Sequence, residues 1–342
     1  MTVKPGELLT LHHRFFRAVA AVSWRAGLAL LGIVASGGAP GRASVDNPTA
    51  ITSMRVAFSS NLFADVNEDD ARASVKAWAQ TLGQEHGIPV NPETKIIVGP
   101  NAIVQALRDG VIDVITMTAN EYWVVRKEMP LGPLILGVVN GRTTEEYVLL
   151  VRRDSGIAQL EELRKRSLVI FQSPRAGLAP VWLETLLLQA GLGRMTEFWS
   201  RVTEANKLTK VVLPVFFHQA DACLLTRAGF QTMNELNPQV GQQLKVLAAS
   251  AALVPIVFCF RGNYASPDRD KLMDSIDRIS ETPAGRQTLM LFQSERLVKS
   301  PVAALDSACE LLDVHRQLRA AALGAQPGDS AVPPTPAIPG RN

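Results

Sequence analysis

The chain has 342 residues, of which 47% are hydrophobic and 20% charged. This length predicts more than one compact lobe, and the apolar content is enough to fill the cores. The 35 Lys and Arg residues nearly balance the 32 Asp and Glu residues, which argues against a nucleic-acid binder with a basic face. Three cysteines exclude a disulfide scaffold, and none has the spacing of a zinc site.

The N-terminal residues 1–43 have the composition of an export signal. They contain several basic residues but a single acidic one, Glu7, and arginines precede an apolar run at 26–36. That run is about half the ~20 residues that a membrane-spanning helix needs. Small residues follow it, and residues 41–43 offer a cleavage site. We expect a signal peptide over 1–43 and a mature protein that starts near Ser44; a disordered extension is the alternative.

From Met54 onward, short apolar runs alternate with amphipathic helical patterns. The predicted elements of this first block are a strand at 54–58, a helix that opens at the acid-rich segment 67–70, a strand at 95–98, a helix at 101–108, a strand at 111–117, a helix at 120–127 and an apolar run at 134–139. Alternation of this kind predicts parallel strands joined by helical crossovers.

The pattern restarts after a near-continuous apolar strand at 147–151. The second block comprises a helical segment at 157–166, a strand at 167–171, helices at 180–190 and 207–216, and strands at 220–225, 244–248 and 254–260. Three further helices are predicted at 268–280, 284–292 and 302–319, and a Pro-rich tail at 324–342 is predicted to be disordered. We expect an α/β protein with lobe one at 54–150 and 251–320 and lobe two at 151–250.

Several steps of this pattern resemble a known family. They are the strand 56–58 with its polar turn, the helix–Gly–x–x–Asp–strand step at 105–114, the segment 144–157, the segment 159–164 and the step at 217–223. Together they resemble periplasmic solute-binding proteins of the phosphonate/phosphite-binding type. That resemblance implies the two-lobed type II periplasmic-binding-protein fold, in which two parallel-rich sheets are joined by two crossover strands.

The resemblance implies a small anionic ligand in an interlobe cleft, delivery to an inner-membrane ABC permease, a periplasmic location, a monomer and no cofactor. Members of the family commonly hold the anion with a run of Ser and Thr residues where a lobe-two helix starts. Here the loop 171–177 has one hydroxyl, Ser173, and an added cation, Arg175. A phosphonate- or phosphite-like ligand, a sulfonate and a carboxylate therefore all remain candidates.

Polar residues at strand ends are the candidate ligand contacts. Ser173 and Arg175 lie between a buried strand and a helix, where free N–H groups and a guanidinium favour an anion. Ser59, Ser60 and Asn61 follow the first strand and could add donors to the same cleft. The alternatives are a capping serine with a solvated arginine, and ordinary turn residues.

Further candidates lie on the neighbouring segments. Thr116 and Thr118 share one face of a strand, and Tyr122 follows just inside the next helix. Asp221 precedes an apolar strand, and in the resembled family an aspartate at this step can receive an amine or hydroxyl of the ligand; a structural cap is the alternative. His218 could donate to an anion.

The cysteines and His315 can be explained without a functional role. Cys223, Cys259 and Cys309 lie in apolar patterns that predict burial, with a Cys223–Cys259 bridge possible. His315 is assigned to the closing helix without a role. The sequence contains no nucleophile elbow, phosphate loop or metal-spaced His cluster. We therefore expect a binding protein without metal rather than an enzyme, with a sensory protein that presents its ligand to a membrane receptor as the alternative.

Overall fold

The computed structural model describes residues 53–324, apart from 64–68, 71, 74–75, 77–86, 92, 284, 287–288 and 290–293. The predicted signal peptide and the tail beyond Gly324 lie outside these residues. The helices predicted from 67 and over 284–292 are described only in part. Their described positions, 69–70, 72–73 and 76 in the first and 285–286 and 289 in the second, are helical.

The described residues contain eleven strands in two sheets. In chain order the strands are β1 (Val56–Ser59), β2 (Lys95–Ile97), β3 (Val114–Thr118), β4 (Leu131–Val138), β5 (Tyr147–Arg152), β6 (Ser167–Phe171), β7 (Arg201–Ala205), β8 (Ala222–Thr226), β9 (Leu244–Ala249), β10 (Ile256–Arg261) and β11 (Arg296–Ser300).

Nine α-helices can be bounded within the described residues. They are α1 (Pro100–Arg108), α2 (Ala119–Glu128), α3 (Ala179–Gln189), α4 (Met195–Phe198), α5 (Leu208–Phe216), α6 (Arg227–Leu236), α7 (Pro238–Gln243), α8 (Pro267–Ser275) and α9 (Asp306–Ala322). None of the described helices is long and apolar enough to cross a membrane.

The first sheet has the order β11-β4-β10-β3-β1-β2, and the second has the order β7-β6-β8-β5-β9. Both are mixed sheets. In the first, β1 runs parallel to β2 and β3, whereas β10 runs antiparallel to β3 and β4. In the second, β6 runs parallel to β7 and β8, whereas β5 is antiparallel to β8 and β9. The α/β prediction with two sheets is confirmed, but these sheets are not rich in parallel pairs.

The mixed pairing follows from where the chain passes between the sheets. Strands of the β-α-β steps end at the carboxyl edge, whereas β5 and β10 enter their sheets from that same edge and so run the opposite way. The predicted apolar linkers 147–151 and 254–260 are therefore interior strands of one sheet each, which explains their continuous hydrophobicity. The chain crosses instead in the neighbouring segments 139–146 and 250–255, which pair through Glu145 and Leu253.

One step occurs in both sheets. In the first, Asp113 precedes the buried strand β3, which ends at Thr118, the N-cap of α2. In the second, Asp221 precedes the buried strand β8, which ends at Thr226, the N-cap of α6. Each threonine side chain accepts a backbone N–H three residues later. The two halves therefore present equivalent strand ends to the crossovers.

Some predicted elements differ from the structure. The segment 157–166 forms only a 3₁₀ turn, Leu160–Leu163, and the helix predicted at 268–280 becomes 3₁₀ after Ser275. The strands β7 and β11 and the helices α4, α6 and α7 were not predicted. The strand β7 exposes four of its five residues, and neither strand has a fully buried residue, so both lack the apolar pattern by which the central strands were recognised.

Candidate ligand-binding site

The carboxyl ends of the parallel strands define the site. In the first sheet, β1 and β3 end side by side at Ser59 and Thr118. In the second, β6 and β8 end at Phe171 and Thr226, and β5 begins beside Thr226 with Tyr147. Ligands of open α/β sheets bind outside such ends. Both edges border the crossover segments, so we take this region, the cleft, as the candidate site.

On the first-sheet side, the polar side chains converge on a buried carboxylate. Glu121, which is 4% exposed, accepts at Oε1 from Ser59 Oγ at 2.5 Å and from Asn61 Nδ2 at 3.0 Å. Its Oε2 accepts from the Thr118 backbone N at 3.0 Å and from Thr118 Oγ1 at 2.8 Å. The structure thus brings three predicted ligand contacts together, but around a side chain of the protein itself.

Sequence reasoning did not single out Glu121, although a signal for it exists. Thr118 followed three residues later by Glu121 is the capping-box pattern of a helix N-terminus, and both of its reciprocal hydrogen bonds are present. The additional bonds from Ser59 and Asn61 come from a different element. They depend on the parallel pairing of β1 with β3, which a local motif does not encode.

On the second-sheet side, the loop after β6 holds a buried guanidinium. Arg175 Nε donates to Glu145 Oε1 at 2.5 Å, and the side chains are 13% and 8% exposed. Tyr147 Oη donates to the Arg175 carbonyl oxygen at 3.0 Å. Nη2 of Arg175 is buried without a hydrogen-bond partner. The alternative of a solvated arginine is therefore wrong.

Ser173 caps the short turn that carries Arg175. Its Oγ accepts from the Ala176 backbone N at 3.2 Å, at the start of the 3₁₀ turn Pro174–Ala176. This is the capping alternative considered from the sequence. The hydroxyl hydrogen is still available as a donor, since the contact uses Ser173 as an acceptor.

Loops of the two sheets touch across the cleft. Asn120 Nδ2, in the first turn of α2, donates to the Gly177 carbonyl oxygen at 3.3 Å, whereas Asn120 Oδ1 is buried without a partner. The 3₁₀ turn Ser60–Phe63 contacts the turn Pro174–Ala176, which places Ser60 in the contact region. These two contacts join the loops of the two sheets on this side of the cleft.

Thr116 and Tyr122 pack into the first-sheet half. Thr116 pairs with Phe58 of β1 and Phe258 of β10 in the middle of the sheet. Tyr122 is 2% exposed and belongs to the main hydrophobic core. Burial is the main cause that raises the pKa of Tyr122 to about 12. Both side chains therefore stabilise the first-sheet side of the cleft by packing in the interior.

Asp221 and His218 lie at the opposite end of the second sheet. Asp221 Oδ2 accepts from the Ser167 backbone N at 2.9 Å and from Ser167 Oγ at 2.7 Å, at the first residue of β6. Arg166 Nη1 lies 3.5 Å from Asp221 Oδ1. His218 has a φ of 58° in the turn between α5 and β8. The structure does not bring these two residues together with the residues of the cleft.

The comparison that decides the family is a sequence model of the "ABC transporter, phosphonate, periplasmic substrate-binding protein" family, which matches residues 62–303. The chain belongs to this family. Membership makes it a substrate-binding protein of ABC transporters and implies a periplasmic location, a small anionic ligand and a permease partner. The signalling alternative receives no support. No curated protein sequence matches the chain significantly.

Solved structures agree on the fold. A Xanthomonas citri protein bound to chloride has 16% identity and a TM-score of 0.57, covering 78% of this chain and 99% of that one. A binding component of a Pseudomonas aeruginosa ABC phosphonate transporter has 16% identity and a TM-score of 0.54, covering 79% and 89%. PhnD1 from Prochlorococcus marinus in complex with methylphosphonate has 13% identity and a TM-score of 0.54, covering 79% and 99%. These matches confirm the predicted fold class.

Proposed function

We propose that this family member captures a small oxyanion of the phosphonate, phosphite or sulfonate class in the cleft and delivers it to an inner-membrane ABC permease. The observation that carries the proposal is the buried, unpartnered Nη2 of Arg175 in the loop after β6. The methylphosphonate bound to PhnD1 supports this ligand class. We infer a monomer that binds its ligand unchanged, without metal or catalysis.

The chemistry of Arg175 fits an oxyanion. A buried donor without a partner loses its hydration and costs about 1–3 kcal/mol, more when it is charged. Glu145 satisfies only the Nε side of the guanidinium. A tetrahedral anion placed at Nη2 would satisfy the other side with a charge-assisted hydrogen bond. Ser173 Oγ–H, two residues away, is a second donor in the same loop.

The test is calorimetric titration of the purified protein with methylphosphonate, phosphite, a short alkyl sulfonate, a dicarboxylate and an amino acid. We expect an oxyanion of the first three kinds to bind. Arg175→Ala should weaken that binding by about 1.5–3 kcal/mol, the range for a hydrogen bond to a charged group. Ser173→Ala should weaken it less, because its hydroxyl is neutral.

A matched control is Arg152→Ala. Arg152 is also largely buried and ion-paired, with Nε 2.7 Å from Asp154 Oδ1, but it lies at the far end of β5. Its loss should lower the free energy of unfolding and leave affinity unchanged. Equal effects of both variants on affinity, or binding of neutral and cationic compounds alone, would contradict the proposal.

We also propose that the two sheets are the cores of two lobes, with lobe two inserted into lobe one. Because β5 pairs with β8 and β9, we draw the boundary before Tyr147 rather than after Leu150. The crossover segments, joined between Glu145 and Leu253 by backbone bonds of 2.7 and 2.8 Å, would form the hinge.

For the leader, we propose cleavage after residue 43 on export. The motif that supports it is the short apolar run between arginines and small residues. Intact-mass measurement on protein from a periplasmic fraction should give a chain that begins near Ser44. Full-length mass in the cytosolic fraction alone would contradict the export proposal.

A further inference from the structure

Glu121 occupies a group of donors that is suited to an anion. We call Ser59, Asn61 and Thr118 the oxyanion cradle. Two hydroxyls, a side-chain amide and a backbone N–H at the start of α2 all donate to the one carboxylate. Such a donor set at a helix N-terminus is what a bound phosphonate or sulfonate group requires. Ser59 is fully buried and Glu121 nearly so, so the cradle is filled.

The equivalent strand–helix junction of the second sheet, between β8 and α6, lacks this carboxylate. There Thr226 caps α6 by accepting from the backbone N of Gly229 at 3.0 Å. Gly229 stands at the position equivalent to Glu121 and has no side chain. A helix cap therefore forms without a glutamate, and capping alone does not explain why Glu121 also reaches Ser59 and Asn61.

The cradle adjoins the loop that carries Arg175. Asn120, between Thr118 and Glu121, bonds to Gly177 of that loop. The turn Ser60–Phe63, which contains Asn61, contacts Pro174–Ala176. A ligand whose anionic group lies at Arg175 would therefore lie next to the cradle and to Glu121.

We propose that Glu121 is a specificity-determining residue: its carboxylate fills the oxyanion cradle, confines the ligand's anionic group to Arg175 and rejects ligands with a second anionic end. This inference rests on the proposed function for the position of the ligand. Its physical basis is the repulsion between like charges, which is strong at a carboxylate as buried as that of Glu121.

The first experiment compares methylphosphonate, with one anionic end, and phosphonoacetate, with two. Wild type should favour methylphosphonate. Glu121→Gln retains the shape and removes the charge, and it should move the affinity ratio about tenfold towards phosphonoacetate. The control is Glu162→Gln, because Glu162 is also the third residue of a capping box but lies exposed after β5. An unchanged ratio in Glu121→Gln would overturn the proposal.

The second experiment tests the cradle without the ligand. Glu121→Ala removes the carboxylate and leaves its donors unpaired, so formate should raise the melting temperature of this variant. Chloride at the same ionic strength, and formate with wild type or Glu121→Gln, should have little effect. A folded Glu121→Ala that ignores formate overturns the cradle. Should no oxyanion bind wild type, the proposed function fails, and the formate response still decides whether the cradle accepts an anion.

Discussion

Asp113 binds two arginines at the amino end of the first sheet. It is 1% exposed, and it accepts from Arg55 Nε at 2.8 Å, from Arg55 Nη2 at 2.7 Å and from Arg261 Nη2 at 3.3 Å. The Asp113 hydrogen bond is the main cause that raises the pKa of Arg55. These contacts tie the residue before β1 to the last residue of β10, far along the chain.

Removing this carboxylate would leave two cations facing each other. Asp113→Ala should lower the free energy of unfolding by about 1.5–3 kcal/mol, the range for hydrogen bonds to charged groups, because the Arg55 side chain is 37% exposed and remains partly hydrated. Urea denaturation followed by circular dichroism measures it. Asp109→Ala, on an exposed aspartate whose carboxylate accepts from Gln105 Nε2 at 2.9 and 2.8 Å, should cost under about 1 kcal/mol. Similar losses in both variants would contradict the buried-pair account.

Residue types and positions predicted part of the cleft. Ser59, Asn61, Thr118 and Ser173 follow strands that end at one edge, and chain direction alone places them there. The same argument places Asp221 away from the cleft, because a residue before a parallel strand lies at the amino edge of the sheet. The sequence alone was enough to make that prediction. The pairing of Arg175 with Glu145 was not predictable, since it depends on where the crossover passes.

At the scale of elements, α9 joins the helical layers of both sheets. Asp313 Oδ1 accepts from Trp123 Nε1 at 2.9 Å and from Lys127 Nζ at 3.0 Å, both on α2. Two residues later, His315 Nε2 lies 2.7 Å from Glu184 Oε2 on α3. The sequence predicted this helix but assigned His315 no role, because its partner lies far away in the chain.

The Glu184–His315 contact predicts a dependence of stability on pH. The hydrogen bond from His315 is the main cause that lowers the pKa of Glu184, and the charge of Arg319 acts in the same direction. A lowered carboxyl pKa contributes stability above the ordinary value of about 4.3, and this contribution is lost as the pH falls through the lowered value. Glu184→Gln should therefore flatten the loss of stability below about pH 5.

Denaturant titrations of wild type and Glu184→Gln over that acidic range measure the difference. Glu310→Gln is the control, since Glu310 is an exposed residue on the same α9 helix. This control variant should keep the wild-type dependence of the free energy of unfolding on pH. If Glu184→Gln shows the same pH dependence of the free energy of unfolding as wild type, the contact with α9 does not stabilise the fold through this carboxylate.

The central strands were predictable, whereas the edge strands β7 and β11 were not, for one physical reason. β5 and β10 have neighbours on both sides; β5 buries all six of its residues and β10 exposes none, so their apolar runs stand out. β7 lies at the edge of the second sheet with its first four residues exposed. It is held by parallel pairing to β6, and backbone hydrogen bonds leave no hydrophobic pattern in the sequence.

For the whole molecule, the Asn120–Gly177 bond is a contact between the two sheet halves that favours closure. Asn120→Ala should shift the ligand-free protein towards an open form with a larger radius of gyration. It should weaken ligand binding by about 0.5–1.5 kcal/mol, the net value of a neutral hydrogen bond. Small-angle X-ray scattering and calorimetry measure the two effects.

Asn234→Ala is the matched control for this variant. Asn234 is exposed on α6, and its Oδ1 accepts from the Gly241 backbone N at 3.1 Å within one half of the molecule. Its loss should change neither the radius of gyration nor the affinity. If Asn120→Ala scatters like wild type with and without ligand, closure does not depend on the contact across the cleft.

The burial of the three cysteines determines when their thiols can be oxidised. Cys223, Cys259 and Cys309 are free, and burial raises the pKa of each thiol. Because the thiolate is the species that attacks a disulfide, the folded protein resists oxidation in the periplasm, where oxidants are plentiful. On the proposed export route, these thiols would be open to oxidation only in the interval between translocation and folding. A chain that folds before it meets an oxidant would keep all three thiols reduced, because the fold then buries each of them.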